Sequence, residues 1–311
     1  MSIQEFLIPL LAAAVIAGTP ILYAALGELI TERAGVINLG VEGIMLVGAV
    51  SGFMAAVTTG SPWIGLLASM VAGGAVALIH AFLTITLRAN QVVSGLALTI
   101  FGTGLSGYLG KSYIGIPVEK PFSVVPLGPL ADIPFIGPIL FQQDALVYIS
   151  YVLVVIIWYY MYHTRPGLNL RALGENPAAM DALGLNVFYL RYIYVVAGGA
   201  LGGVGGAYLS LAYAPSWLEN MTAGRGWIAV ALVIFALWNP WRALMGAYLF
   251  GGIDALGFRL QVLGIHEISP FFLKMLPYVF TILILVFVVA RHKGRLTTPG
   301  ALGLSYDREE R

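Results

Sequence analysis

Long uncharged apolar runs recur along the whole chain, and a polypeptide built this way has few stable homes outside a lipid bilayer. Phe6–Gly27, Val92–Gly110, Ala145–His163 and Tyr192–Ala214 contain no Asp, Glu, Lys or Arg. A hydrocarbon core of ~30 Å is crossed by ~20 helical residues, so each run is long enough to span it. Transmembrane β-strands alternate apolar and polar residues, which these runs do not, so a barrel is excluded. Composition agrees: hydrophobic residues are 59% of the chain and charged residues 10%, against roughly 25% charged in soluble domains. The fold class is therefore an all-α integral membrane protein, one transmembrane domain over residues 1–311.

Apolar runs between charges and Pro/Gly breaks place spans near 6–30, 43–59, 62–87, 92–110, 145–163, 192–214, 226–258 and 272–290. The seventh is too long for one crossing. Asn239-Pro240-Trp241-Arg242 divides it, because proline removes a backbone donor and arginine avoids mid-membrane, leaving short helices at 226–238 and 243–258. Nine crossings result, fewer if some pieces are re-entrant. The N-terminus reads as a first span rather than a cleaved signal. Placing the polar loop His163–Leu190 and the tail 291–311 in the cytoplasm puts eleven of the sixteen basic residues on that side. Lys111, Lys120, Arg225, Arg259 and Lys274 fall opposite, and the N-terminus lies outside. If Glu32–Gly43 is instead a break within the membrane, the first crossing flips.

Gly198, Gly202 and Gly206, with Gly199 and Gly203, leave one side of the 192–214 span almost bare, which lets another backbone approach closely. Helix packing explains this; a sliding surface during gating is the functional alternative. Charged side chains at membrane depth cost roughly 2.5–3.5 kcal/mol, so Glu28, Glu32, Arg33, Glu42 and Asp254 each need a reason. Glu42 falls in the first turn of the second span, where the helix dipole favours an anion. Asn38, Asn90, Gln91 and Ser94 are uncharged, lie in or beside helix breaks, and suit either interhelical hydrogen bonds or a pathway for a neutral polar solute. With Glu42 they form the candidate pathway set.

Enzyme chemistry finds no support. Gly110-Lys111-Ser112 lacks the first glycine of a phosphate loop, which would stand at Leu105. His266-Glu267 is followed by Pro270 where a zinc protease needs histidine, so no metal site is assigned. There is no cysteine for a thiolate site and no serine nucleophile elbow. A net charge of +1 argues against nucleic acid as a partner.

Within the polar loop, Asn176 suits a helix cap, Pro177 the first helical position and Gly184 a left-handed stop. Between them Ala178, Ala179, Ala182 and Leu183 leave small or apolar side chains outward. A rigid knob capped at both ends implies a partner; packing on its own bundle is the alternative.

Glu32–Gly43 (ERAGVINLGVEG), Asn90–Ala97 (NQVVSGLA), Gly167–Gly184 (GLNLRALGENPAAMDALG), Ala223–Val230 (AGRGWIAV) and Pro299–Tyr306 (PGALGLSY) together resemble the permease subunits of ATP-binding-cassette importers. The superfamily carries branched-chain amino acids, simple sugars and nucleosides, and the strongest likeness is to guanosine-type nucleoside permeases that work with a purine-nucleoside-binding lipoprotein. The resemblance implies a type II importer fold, about 8–10 helices including broken or half helices, built from two inverted repeats. It makes ERAGVINLGVEG and AGRGWIAV corresponding pieces of those repeats. It also implies a coupling helix over Glu175–Gly184 that docks on an ATPase. The expected coupling residues are Arg171, Glu175, Asn176, Pro177, Ala179, Asp181, Ala182 and Gly184. Expected partners are two ABC ATPase domains, which bind the ATP and magnesium, a second permease, an extracytoplasmic binding lipoprotein and membrane lipid. No cofactor is expected on this chain. The location implied is a bacterial inner membrane. Asn239-Pro240-Trp241 and a short N-terminal region resemble the shorter of the family's two permease types, hence one partner of a heterodimer. An ion-coupled secondary transporter is the rival from another class.

Overall fold

The computed structural model describes residues 3–262 and 298–308, with individual positions between 272 and 290. Most of the expected crossing at 272–290, and 291–297 of the tail, lie outside the described residues. Ten α-helices are delimited among the described residues: α1 Ile3–Arg33, α2 Val41–Thr59, α3 Pro62–Ala81, α4 Gln91–Gly110, α5 Ala145–His163, α6 Arg165–Glu175, α7 Pro177–Ala182, α8 Val187–Tyr208, α9 Arg225–Phe235 and α10 Pro240–Val262. Seven of them, α1 to α5 with α8 and α10, are long and apolar enough to cross a membrane. The Pro-rich stretch after α4 closes with a two-stranded ribbon, β1 Val124–Pro126 antiparallel to β2 Gln142–Asp144.

Local chemistry sets the helix starts. Asn90, Asp144, Thr164, Asn176 and Asn186 each accept a backbone N–H from the first turn of α4, α5, α6, α7 and α8, satisfying donors that a helix N-terminus otherwise leaves free. Pro62 and Pro240 open α3 and α10, where a missing N–H costs nothing.

α8 is the hub, and its glycines explain why. A methyl at Gly198 would strike the Gly27 carbonyl of α1; at Gly203, the Ser69 carbonyl of α3; at Gly206, the Met45 carbonyl of α2. Three backbones thus approach one helix closely, trading side-chain volume for extensive van der Waals contact, the main packing force where lipid is as apolar as leucine. The stripes read from sequence therefore serve packing against separate neighbours.

These contacts also fix direction. Gly27 meets Gly198 while Pro20 meets Gly205, so α1 runs antiparallel to α8. The N-terminus of α1 therefore lies on the side opposite α6 and α7, hereafter the loop side. α2 runs parallel to α8, with Ile44 beside Gly202 and Gly52 beside Ala207. At 1.5 Å per residue, Gly202 is roughly 20 Å along α8 from Val187, so α2 begins well inside the bilayer. Residues 34–40 therefore climb back from the loop side into the interior as a buried turn. A membrane break at Glu32–Gly43 thus coexists with an N-terminus opposite the loop, because α1 completes its crossing before the chain re-enters.

α9 is the second departure from a simple crossing. Its 11 residues span roughly 16 Å, half the hydrocarbon core. It starts where Gly226 abuts the backbone of Glu42 and ends near Trp238, whose indole reaches Glu32 at the loop-side end of α1. The apolar segment 226–238 is a half-helix, not a crossing.

Candidate functional site

The candidate residues gather in two places: the knob on the loop side and the break between α1 and α2. In the knob, Asn176 Oδ1 accepts the Ala179 N–H at 3.0 Å, and Gly184 follows α7 at φ +81°. Met180 is buried and turns inward, while Ala178, Ala179, Ala182 and Leu183 are exposed; Leu183 is 77% exposed. α6 braces the knob from behind. Its Leu170 and Leu173 are buried, Gly167 lies against the Tyr160 carbonyl at the end of α5, and the Arg171 guanidinium sits over the Tyr162 ring at 5.2 Å.

The two acids of the knob point elsewhere than the alanines. Glu175 Oε2 accepts the Gly300 N–H at 3.1 Å, and its Oε1 lies 4.0 Å from Arg33. Asp181 Oδ2 accepts from Arg308 Nε at 2.8 Å and from the Tyr306 hydroxyl at 3.1 Å. The eight expected coupling residues therefore divide by geometry. Ala179 and Ala182 face outward, Asn176, Pro177 and Gly184 shape the helix ends, and Arg171, Glu175 and Asp181 hold it to the body.

The break is organised by Glu42. Ala223 at φ +48° and Gly224 at φ +82° lead into α9 with their backbone in the left-handed region. The Gly224 and Gly226 N–H groups donate to Glu42 Oε1 at 2.8 Å and Oε2 at 2.7 Å, and the Thr222 hydroxyl donates to Oε1 at 2.6 Å. One carboxylate in the first turn of α2 thus also fills the anion-seeking N-terminus of α9, so two helix dipoles converge on it. A Cβ at Gly226 would meet Glu42 N and Cα at 2.6 Å, so glycine is required for the approach. Arg225 pairs with Asp254 at 2.9 Å beside this junction.

The other pathway candidates gather around the re-entrant turn. Asn38 N–H donates to Glu28 Oε1 at 2.9 Å while Asn38 Oδ1 accepts from Gly40 at 3.0 Å. Gln91 Oε1 accepts the Ile37 N–H at 2.7 Å, Asn90 caps α4, and Ser94 Oγ lies 3.0 Å from His80 Nδ1. His80 Nε2 is 2.9 Å from the Ile37 carbonyl. Asn90 and Gln91 also line a cavity of about 350 Å³ that opens beside Arg88 and Ser305. Asn38, Gln91 and Ser94 are buried.

Three participants were not singled out from sequence. Arg191 is 2% exposed and donates to the Ala34 and Leu304 carbonyls; no local signal marks it, because both acceptors lie on distant segments. Trp238 Nε1 donates to Glu32 Oε2 at 2.6 Å with Arg33 over its ring at 5.6 Å. His80 carried no local signal, because its partners lie on two other segments.

Residues 10–289 match the family model described as the permease component of the branched-chain amino acid transport system. A Haloferax volcanii protein provisionally named a glucose ABC transporter permease is 43% identical, covering 98% of this chain and 99% of the relative. A nucleoside ABC transporter permease protein of Lactococcus lactis is 36% identical over 98% and 99%, and a guanosine ABC transporter permease protein of Bacillus subtilis 33% over the full length of both. The same H. volcanii and B. subtilis strains each have a second permease with the same named solute, 24% and 23% identical, of which this chain covers 70%. With its apolar helices, the break between α1 and α2 and the short α9, this multi-pass membrane protein belongs to the branched-chain amino acid transport system permease family and is a permease subunit of an ABC importer.

Proposed function

We propose that this chain is the shorter of two permeases in a nucleoside importer, and that α7 is the cytoplasmic coupling helix, seated in a groove of a separate ABC ATPase. The observation that carries the reading is the exposed Ala178, Ala179, Ala182 and Leu183 face of α7 on a helix capped at both ends and braced by α6. Small side chains permit close approach, and rigidity lets a push be transmitted rather than absorbed. ATP and magnesium belong to the partner ATPases, closure of which moves α7 and swings the two permeases between outward and inward openings. An extracytoplasmic lipoprotein delivers the solute. The pathway passes the Glu42 junction and the re-entrant turn, where Asn38, Asn90 and Gln91 bond to backbone and Ser94 pairs with His80.

A hexose is the second reading, favoured by the 43% identical H. volcanii relative. Nucleosides contain a sugar ring, so a pathway lined by the uncharged polar groups of Asn38, Asn90, Gln91 and Ser94 suits both. Uptake of labelled guanosine into vesicles with unlabelled nucleosides, glucose and leucine as competitors separates them: nucleosides alone compete if the proposal holds. Ala179→Arg with Ala182→Arg is expected to lower uptake about tenfold or more by blocking the groove, with membrane insertion retained. Unchanged uptake removes the docking reading.

A further inference from the structure

We infer that tail segment 298–308 is a strap that transmits movement of α7 to the re-entrant turn 34–40, with Arg88 and Asp307 as positioning residues in the link. The inference rests on the reading of α7 as the coupling helix. The segment contains no helix or strand, yet it bonds to five elements in succession. At α6, the Ala301 N–H donates to the Gly174 carbonyl at 2.8 Å and the Gly300 N–H to Glu175. At the re-entrant turn, the Gly303 N–H donates to the Gly35 carbonyl at 3.2 Å. At α8, Arg191 donates to Leu304 and Ala34 together, holding tail and turn with one guanidinium. At α7, Tyr306 and Arg308 hold Asp181.

The fifth contact leads inward. Asp307 receives a bidentate pair of N–H groups from Arg88, with Nη2 to Oδ1 at 2.9 Å. Arg88 has φ +56°, in the left-handed region that a non-glycine residue seldom adopts, and it forms the corner between the end of α3 and the start of α4. Three residues on, Gln91 holds the Ile37 N–H. The route therefore runs from α7 through Asp181, the strap, Arg88 and Gln91 to Ile37, five residues before Glu42. Arg88 is 45% exposed, and exposed ion pairs add little to folding stability. A pair that is weak as a staple but joins the strap to the left-handed corner at Arg88 is placed to transmit position.

The test uses the complete transporter in proteoliposomes. Arg88→Asp and Asp307→Arg singly are expected to lower solute imported per ATP hydrolysed about fivefold, with ATPase bound and hydrolysing, and the double swap to restore it. A wild-type ratio in the singles, or a swap no better than they are, overturns the strap. If a single variant fails to insert, Arg88→Lys and Asp307→Asn, which lose the bidentate geometry with little change in volume, are read the same way. The chain has no cysteine, so spin labels on Leu168→Cys of α6, which is exposed and outside the docking face, and on Leu96→Cys give a second readout. An ATP-driven change in their separation that survives Asp307→Arg also overturns the strap. Ala179→Arg tests the underlying reading separately: if the ATPase still docks and pumps with that variant, α7 is not the coupling helix. If docking is lost there while the strap variants transport normally, only the strap fails.

Discussion

Glu42 accepts hydrogen bonds from Thr222, Gly224 and Gly226, and it is only 8% exposed. Truncation would leave those donors without an acceptor in a site water hardly reaches, at roughly 1–3 kcal/mol for each orphaned group. Glu42→Ala is therefore expected to lower the thermal midpoint of the detergent-purified chain markedly. Glu42→Gln, which keeps one acceptor oxygen, is expected to fall between it and wild type. Equal melting of all three in a fluorescence-detected thermal shift experiment counts against the junction. The dipole argument from sequence identified one of the two helices that stabilise this carboxylate, because the first turn of α2 is a local fact. The second helix, 180 or more residues away in sequence, is not. Arg191 is not legible for a related reason: its acceptors, the Ala34 and Leu304 carbonyls, lie more than 100 residues away in sequence and meet only when the tail and turn close over it.

Among the elements, α8 shows how much a spacing can carry. Two interleaved glycine series announced close packing, and the structure assigns their members to different neighbours. Gly203→Val would drive side-chain carbons into the Ser69 carbonyl and Gly73 Cα. Overpacking of this kind costs about 1–3 kcal/mol or more, so the variant is expected to accumulate poorly in the membrane on immunoblots. Gly104→Val on α4, where a Cβ meets nothing within 4 Å, is the matched control and is expected to accumulate normally. α7 was legible to its caps, because Asn, Pro and Gly act through their own backbone neighbours. α6 was not foreseen, since its polar run Arg165–Glu175 owes its stability to Leu170 and Leu173 buried against the body. The depth of α9 was likewise hidden: hydropathy measures apolar length, and an 11-residue piece beside a long apolar helix adds to one continuous signal.

At the scale of the whole molecule, the chain spans its shorter relatives from end to end and 70% of a second, longer permease in two of the same organisms. Co-expression with such a longer partner is expected to yield one copy of each per complex by native mass spectrometry. Expression with ATPases alone is expected to give no uptake, and a transporting homodimer would contradict this. The sequence by itself determined that seven long apolar helices can cross a membrane, the caps of α7 and the family, because each depends on residue type at short range or on summed hydropathy. Only the tertiary structure decided that the re-entrant turn, the N-terminus of α9 and the tail meet around Glu42, Arg191 and Asp307. Those meetings depend on how closely α1, α2 and α3 settle onto the glycines of α8, and small changes in that packing shift distant polar groups in or out of hydrogen-bond reach.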